Sequence, residues 1–449
     1  MATRLRAYQK RAVQRARKHL EKRERVLVVS PGGSGKTVMI ANLARLEMTS
    51  GKRVLCLSHR RELVNQCYEH LLREGVKGED LGVIMSDDVR LNSKASIQVA
   101  SIDTIIRRDY PAVDVVVMDE AHHCPAETWT DLVEYYSDTM VVGFTATPYR
   151  LDGRGLGDVF DVLIEAVKPS ELLRKKWMSR PVIFSPGEDH LPNLKGLRTL
   201  YGDYALSYLV KEVSKETLVG DIFDHWFEHA KDKITLIYAV SVSHSQLIVD
   251  RFVKKGVQAE HIDGSMSTGV RDEILRRLVS GETRVVSSCM ILSEGYNLPQ
   301  CGAIVLARPT KSLALATQQV NRGLRYYKGE RTVVLDHAGH YLSFGLPYID
   351  REFSLYKTQE KLMEEGRARR CPECGIVVPI GTRICSECGC ELYNKPLRDF
   401  PIEEDGELVR LTPKSLQEME GRLQAMAKKK GFPKTWVQDV MARWIAARS

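Results

Sequence analysis

The chain has 449 residues, which is too long for one hydrophobic core and predicts two or three domains. Hydrophobic residues make up 43% and charged residues 28% of the sequence, as is usual for a soluble globular protein. The formal net charge of +8 permits a polyanionic partner. No run of about 18 apolar residues occurs, which argues against a membrane span.

The distribution of cysteines indicates the cellular compartment. Five of the ten cysteines are scattered through apolar segments, and the other five lie between Cys371 and Cys390. Scattered cysteines without regular spacing are typical of a reducing compartment. The basic start of the chain also lacks the apolar stretch of a signal peptide. We therefore expect a cytoplasmic protein.

The N-terminal segment, residues 4–25, has a helical pattern with many basic residues, for which a solvated helix face is favoured over a nucleic-acid contact. Short apolar runs follow at residues 26–30, 53–58, 96–101, 113–120 and 140–147. Because these runs are apolar on both faces and are separated by helical segments, they predict a parallel sheet covered on both sides.

A second series of apolar runs predicts another α/β domain in tandem with the first. Its runs lie at residues 233–240, 283–288, 301–307 and 331–336. Glycine and proline in residues 187–205 predict a long loop in this domain. We expect a charged helix over residues 354–370, a polar linker over residues 400–412 and two short helices at the end.

The stretch VLVVSPGGSGKT combines a buried strand, a Gly-rich turn and a helix start. Such a turn lets backbone N–H groups close around a phosphate, and the helix dipole adds positive charge. Lys36 would reach the β- and γ-phosphates, and the Thr37 hydroxyl would hold Mg²⁺. Ser30 stands where the strict pattern has glycine, and a plain Gly-rich turn is the alternative. The predicted ATP contacts here are Gly33, Ser34, Gly35, Lys36 and Thr37.

Asp119 and Glu120 follow a buried strand, at the edge where open α/β sheets bind ligands. Asp119 would hold Mg²⁺, and Glu120 would orient and deprotonate the attacking water. Neighbouring strand residues point to opposite faces, so both carboxylates can serve one site only where the chain turns. An acidic loop start is the alternative interpretation.

Five segments together resemble a known family. SPGGSGKT, MDEAHH, FTATP, SEGYNLP and QQVNRGLR occur in the order of motifs I, II, III, V and VI of superfamily 2 helicases of the DEAH type. LRAYQ, LDHAGH and the late cysteines are similar to RadD-like bacterial DNA repair helicases and their phage relatives. The resemblance implies an α/β fold of two tandem RecA-like parallel-sheet domains, followed by a small zinc ribbon and C-terminal helices. The predicted limits are 1–165, 166–350, 351–398 and 399–449.

The resemblance also implies roles for further residues. Arg6 and Gln9 match the element that recognises adenine. Asn297, where the family usually has Asp, would contact the ribose, and Gln318 would face the nucleotide. Nucleic-acid backbone contacts are implied for Ser58, His59, Arg60, Ser101 and Thr104. Coupling of hydrolysis to strand movement is implied for His122, Thr145 and Thr147, with a metal-ligand role for the histidines as the weaker alternative.

Arg322 and Arg325 match the two arginine fingers of the family, which stabilise charge on the γ-phosphate when the two domains close. Their spacing of three residues would also put them on one face of a helix, where solvated arginines are common. Asn321 stands where the family usually has glycine just before the first arginine.

The crowded cysteines have the spacing C-x₂-C-x₁₀-C-x₂-C. Paired knuckles of this kind can wrap one tetrahedral zinc ion with four thiolates. The predicted ligands are Cys371, Cys374, Cys385 and Cys388. A ligand exchange between Cys388 and Cys390, or a redox-active pair, is the alternative.

These features predict an ATP-dependent DNA helicase or translocase that uses ATP, Mg²⁺ and Zn²⁺ in a bacterial or phage-infected cell. Its partner would be single-stranded or forked DNA. A repair or replication protein could bind the ribbon or the tail. In the tail, Trp436 and Trp444 lie among basic residues, a combination that could hold DNA, but their helical spacing equally fits packing onto another domain. The alternatives are an RNA helicase and an ATP-gated binding module.

Overall fold

The computed structural model describes most of the chain up to residue 392 and three short stretches beyond it. The described residues are 4–123, 127–150, 153–187, 190–200, 203–213, 216–289, 291–292, 301–325, 329–356, 367–392, 420–421, 423–424 and 437–438. Met1–Leu392 form one compact unit, and Tyr393–Ser449 form another. Within the described residues, no helix has the length and apolar character needed to cross a membrane.

The first sheet has seven parallel strands in the order β3-β4-β2-β5-β6-β1-β7. The strands are β1 (Val26–Val29), β2 (Val54–Ser58), β3 (Leu81–Ile84), β4 (Ile97–Ser101), β5 (Val115–Asp119), β6 (Met140–Thr145) and β7 (Val162–Glu165). All five apolar runs predicted in this half form strands. The two strands that the sequence pattern missed, β3 and β7, are the edges of the sheet.

Helices cover both faces of this sheet. They are α1 (Ala7–Leu20), α2 (Lys36–Thr49), α3 (Arg61–Arg73), α4 (Ile102–Ile105) and α5 (Glu127–Tyr135). In the basic helix α1, Arg17 pairs with buried Glu47 of α2 at 2.5 Å. Just after the helix, Arg23 donates to the carbonyl oxygen of Asp138 at 3.0 Å. Part of the N-terminal basic charge therefore bonds within the chain.

The second sheet has six strands, also all parallel, in the order β12-β13-β11-β14-β15-β8. Its strands are β8 (Val182–Phe184), β11 (Thr235–Ala239), β12 (Ala259–Ile262), β13 (Val285–Cys289), β14 (Ala303–Leu306) and β15 (Val333–Asp336). A two-stranded hairpin, β9 (Thr199–Leu200) and β10 (Asp203–Tyr204), interrupts the loop predicted over residues 187–205. The helices are α6 (Pro169–Arg174), α7 (Leu206–Val213), α8 (Glu216–His229), α9 (Val242–Lys254), α10 (Thr268–Ser280), α11 (Leu313–Asn321) and α12 (His340–Phe344).

The cysteine-rich segment folds around an antiparallel pair, β16 (Ala368–Arg370) and β17 (Val377–Pro379). It is joined to edge strand β8 by a bridge between Phe184 and Ile376. The helix expected over residues 354–370 is wrong at both described ends. Residues 354–356 are not helical, and Ala368–Arg370 form a strand because they pair with β17.

The predicted fold class, two tandem RecA-like parallel-sheet domains followed by a cysteine-rich ribbon, is confirmed. The domain limits at residues 165, 350 and 398 stay predictions. The polar linker, Trp436 and Trp444 lie outside the described residues. In each sheet the carboxyl ends of the parallel strands meet at one edge, so the loops that follow them lie together.

Candidate functional site

A cavity of about 340 Å³ lies at the carboxyl ends of β1 and β5 and faces the end of α11 from the second half. Its volume falls in the range of about 300–1,000 Å³ that is typical of small-molecule sites. The cavity is lined by Arg6, Gly32, Gly33, Gly35, Lys36, Thr37, Val38, Leu63, Gln66, His70, Asp119, Glu120, Ala146, Trp177, Gln318, Asn321, Arg322 and Arg325.

The Gly-rich turn between β1 and α2 forms an open cradle on one side of this cavity. Gly33 and Gly35 have φ angles of 76° and 83°, which residues with a side chain rarely adopt. Helix α2 begins at Lys36, so its N-terminus points at the cradle. Ser30, the departure from the strict pattern, is fully buried and shares a hydrogen bond of 2.6 Å between its hydroxyl and that of Ser34. Ser30 thus closes the base of the turn.

Helix α1 holds the same turn from behind. The Tyr8 hydroxyl and the Gln9 amide both donate to the carbonyl oxygen of Ser34, at 2.5 and 2.9 Å. The Gln9 amide oxygen accepts from the backbone N–H of Arg6 at 2.8 Å. The Arg6 guanidinium lies 4.5 Å from the ring centroid of Trp177. Trp177 lines the cavity, yet no motif in the sequence marks it.

The two carboxylates reach the cavity together because the chain turns at Glu120. Glu120 has a φ of 50°, in the left-handed region, so it leaves the alternation of the strand. The Lys36 ammonium lies 3.1 Å from a carboxylate oxygen of Glu120. Burial raises the pKa of Asp119 to about 7, and the Glu120 carboxylate adds to this rise. A cation beside Asp119 would oppose both effects.

A polar path crosses from this acidic strand end to the second half of the molecule. His122 Nδ1 lies 3.5 Å from the Glu120 carboxylate and 3.1 Å from the Thr145 hydroxyl. The Thr145 hydroxyl donates to the carbonyl oxygen of Thr147 at 2.9 Å. On its other side, His122 Nε2 lies 3.4 Å from the amide nitrogen of Gln318 on α11. The three residues predicted to couple the domains are therefore neighbours.

Arg322 and Arg325 both line the cavity and do not share a solvated helix face. Helix α11 ends at Asn321, and Arg325 lies beyond it in a bridge with Met178. The helix-face expectation for this pair was wrong because the helix stops before either arginine. Burial, with a smaller contribution from the charge of Arg322, lowers the pKa of Arg325 to about 10. Arg325 remains a cation at neutral pH.

The residues predicted to contact nucleic acid are not among those that line the cavity. Ser58 and Ser101 end the adjacent strands β2 and β4 and pair directly in register. Both are buried, as is Thr104. The His59 ring lies 4.5 Å from the ring of His123.

The remaining predicted contact of this group, Arg60, donates to the carbonyl oxygen of Ile291 in the second half at 3.5 Å. This part of the first sheet therefore also touches the second half. Asn297, the predicted ribose contact, lies outside the described residues.

Four sulfur atoms of the cysteine-rich segment lie within 4.8 Å of one another, and they belong to Cys371, Cys374, Cys385 and Cys388. Cys371 and Cys388 are 3.7 Å apart between sulfurs, and so are Cys374 and Cys385. A tetrahedral zinc ion with Zn–S bonds of about 2.3 Å would separate its sulfurs by about 3.8 Å. The four thiols therefore fit zinc. In the described residues no other group of this kind occurs, and Cys390 is not part of it.

Comparison with known families identifies the two halves. The family described as "Type III restriction enzyme, res subunit" matches residues 2–150, and "Helicase conserved C-terminal domain" matches residues 214–327. A Lactococcus phage protein named "51.5 kDa protein" is 30% identical over 394 residues, covering 86% of this chain and 80% of the phage protein. The chain belongs to the superfamily 2 helicases. It is a nucleic-acid-dependent ATPase.

Other relatives of this helicase-family ATPase are more distant. The Saccharomyces cerevisiae "Putative ATP-dependent helicase IRC3" is 28% identical, covering 70% of the chain. The chain spans only 48% of IRC3. The Sulfurisphaera tokodaii "DNA 3'-5' translocase XPB2" is 22% identical, covering 72% of the chain and 78% of that protein.

Two solved structures share the fold of the helicase-family ATPase. A fragment of a putative HsdR subunit of a type I restriction enzyme from Vibrio vulnificus superposes with a TM-score of 0.60 at 18% identity. The alignment covers 76% of this chain and 66% of the fragment. The Type ISP restriction-modification enzyme LlaBIII bound to DNA superposes with a TM-score of 0.56 at 15% identity. The alignment covers 74% of this chain and 28% of the LlaBIII chain.

Proposed function

We propose that the chain is an ATP-dependent DNA helicase or translocase that binds ATP and Mg²⁺ in the cavity between its two sheets. One observation carries this proposal. The same cavity is lined by the phosphate loop and acidic pair of the first sheet and by two arginines that follow the second sheet's helix α11. A site assembled from two halves in this way can link hydrolysis to their relative movement.

We assign roles to the side chains of the cavity that the sequence singled out. ATP would supply the phosphoanhydride bond that is cleaved, and Mg²⁺ would supply positive charge. The Thr37 hydroxyl and the Asp119 carboxylate would hold the magnesium ion, and the backbone of the Gly-rich turn would bind phosphate. Glu120 takes the proton of the attacking water. Two anions compete for the Lys36 ammonium. It pairs with the Glu120 carboxylate, and it also faces the cradle where the phosphates of ATP would bind.

Closure of the two halves completes the site. Arg322 and Arg325 stabilise the charge that develops on the transferred phosphate. The contacts from Glu120 through His122 to Gln318 couple the presence of nucleotide in the cavity to the position of the second half. Arg6 and Trp177 form the end of the cavity that is suited to the adenine ring of ATP. Both an indole ring and a guanidinium can stack on the face of an aromatic ring.

We propose DNA as the nucleic-acid substrate. The loops around Ser58, His59, Arg60, Ser101 and Thr104 would bind its backbone. One observation supports DNA: the relative XPB2 is named a DNA 3'-5' translocase. The same proposal places the chain in the RadD-like, DEAH-type subgroup. It also includes a role in DNA repair or replication, in the cytoplasm of a bacterial or phage-infected cell. The phage relative is consistent with that setting.

Comparing nucleic acids tests this proposal directly. We expect ATP turnover to rise at least about tenfold with single-stranded or forked DNA and much less with RNA of the same length. Because phosphate contacts weaken with salt, all measurements use one stated ionic strength. Stronger stimulation by RNA would favour an RNA helicase. Slow turnover that is indifferent to nucleic acid would favour an ATP-gated binding module, and unwinding of tailed duplexes separates a helicase from a translocase.

We further propose that the four-cysteine group holds a structural zinc ion. Four cysteine thiolates would fill all positions of a tetrahedral zinc ion, so the ion would stabilise the ribbon rather than act in catalysis. The ribbon lies against edge strand β8, where the Ser185 N–H donates to the carbonyl oxygen of Gly375 at 3.1 Å. A repair or replication protein, or DNA, is the partner we propose for its outer surface or for the tail.

Replacing Cys385 with serine is expected to abolish zinc binding and to destabilise the ribbon, since metal binding and folding of such small sites are coupled. The measurements are zinc released per chain, read with a colorimetric chelator, and thermal unfolding. Cys390→Ser is the matched control and should retain one zinc ion per chain. Purified protein that contains no zinc but a Cys371–Cys374 disulfide would instead support the redox alternative.

A further inference from the structure

Asn321 is the residue of the arginine segment that the family resemblance does not explain, because the family usually has glycine there. It is the last residue of α11. Only 8% of it is exposed, and it lines the cavity directly opposite the phosphate loop. A side chain at this position therefore fills space between the two halves that glycine would leave open.

The Asn321 side chain contacts the phosphate loop at Gly32. A Cβ atom added to Gly32 would overlap Cβ, Cγ and Nδ2 of Asn321. Gly32 is not among the glycines with a positive φ, so its backbone accepts alanine without strain. The three atoms nearest to such a Cβ atom all belong to Asn321. The two residues form an interlocking contact between the halves.

The amide nitrogen of Asn321 is buried next to this contact, and it has no hydrogen-bond partner among the described residues. Buried amide donors in proteins are almost always paired, because losing their water without a replacement acceptor costs stability. The cavity beside Nδ2 is the space into which Lys36, Arg322 and Arg325 also face. The acceptor best matched to a set of cations and one neutral donor is a phosphate oxygen.

We propose that Asn321 senses the terminal phosphate of the bound nucleotide, docking on Gly32 and donating from Nδ2 to a phosphate oxygen. This inference rests on the proposed ATPase site and adds one residue to it. The terminal phosphate is the relevant group because Asn321 immediately precedes the two arginines that face it. Asn321 thus lets the second half distinguish a triphosphate from a diphosphate.

Substitutions at position 321 separate the donor from the contact. Asn321→Asp keeps the shape beside Gly32 but replaces the donor with a carboxylate, and Asn321→Gly removes both. We expect each variant to bind the ATP analogue AMPPNP about 10- to 100-fold more weakly in the presence of Mg²⁺. ADP affinity should change less than about threefold. Isothermal titration calorimetry measures both, and unchanged AMPPNP affinity or an equal loss for ADP would overturn the proposal.

A double-mutant cycle tests the contact with Gly32. Gly32→Ala alone should weaken AMPPNP binding, because the new methyl group meets Asn321. Gly32→Ala combined with Asn321→Gly should bind AMPPNP as Asn321→Gly alone does, because the overlap is gone. A loss from Gly32→Ala that is the same with and without Asn321 would overturn the interlocking contact.

The wild-type chain separates this proposal from the one on which it rests. Wild-type protein that binds neither AMPPNP nor ADP would refute the ATPase site itself. Wild-type protein that binds both nucleotides, together with variants that bind them equally well, would refute only the role of Asn321. Thermal unfolding of each variant without nucleotide confirms that altered affinity does not reflect an unfolded chain.

Discussion

Replacing Arg325 with alanine is expected to slow ATP hydrolysis by about 10³- to 10⁵-fold, the value of an arginine finger in related phosphoryl transfers. The guanidinium is buried in the cavity, and its lowered pKa of about 10 still leaves it charged at neutral pH. It comes from beyond α11, so it supplies charge from the second half. We expect nucleotide affinity to stay within about threefold, because the phosphate loop and Lys36 remain.

Two quantities are measured for this variant: the DNA-stimulated rate of ATP hydrolysis and the affinity for AMPPNP. Arg276→Ala is the matched control, since it removes an arginine from the same half whose partners, Glu273 and Glu282, are exposed surface residues. Exposed ion pairs contribute little, so this variant should behave as wild type. Unchanged turnover in Arg325→Ala would show that this arginine does not act on the nucleotide.

Replacing Glu120 with glutamine is expected to reduce turnover by about 10²- to 10⁴-fold, the usual contribution of a positioned general base. Glutamine keeps the size and the reach of the side chain but cannot take the proton of water. The substitution also removes the ion pair with Lys36, which frees the ammonium for phosphate. Nucleotide should therefore bind at least as tightly as it does to the wild-type chain.

Single-turnover hydrolysis measures this effect, because it separates the chemical step from product release. Glu134→Gln, on the exposed side of α5, is the control that changes the same functional group away from the cavity. Near-normal hydrolysis in Glu120→Gln would assign the proton to another residue. A loss of nucleotide affinity would mean that Glu120 helps to hold the magnesium ion.

The strands were predictable where burial is complete. Runs such as residues 113–120 are apolar on both faces, and central strands of a parallel sheet require that pattern. The edge strands β3, β7, β8 and β12 were missed, because one side of an edge strand has no neighbour and its run is short. The helix expected over residues 354–370 failed for a related reason. Ala368–Arg370 are extended only because they pair with β17, which is a contact that local propensity does not encode.

The contacts between the two halves could not be predicted from sequence patterns. Trp177 has no motif, since it reaches the cavity through the packing of a connecting segment against Arg6. The arginine pair was expected on one helix face, but α11 ends at Asn321. Where a helix stops depends on what it meets, and here it meets the phosphate loop of the other half.

The candidate phosphate, acidic and cysteine sites could be predicted from the sequence, because phosphate cradles, acidic strand ends and paired cysteine knuckles are local patterns of backbone and side chain. How these segments come together depends on the tertiary structure. The left-handed turn at Glu120 aims both carboxylates into one cavity, and the contact of Asn321 with Gly32 joins residues 289 positions apart. Such contacts depend on the relative placement of two separately packed sheets, which no short stretch of sequence specifies.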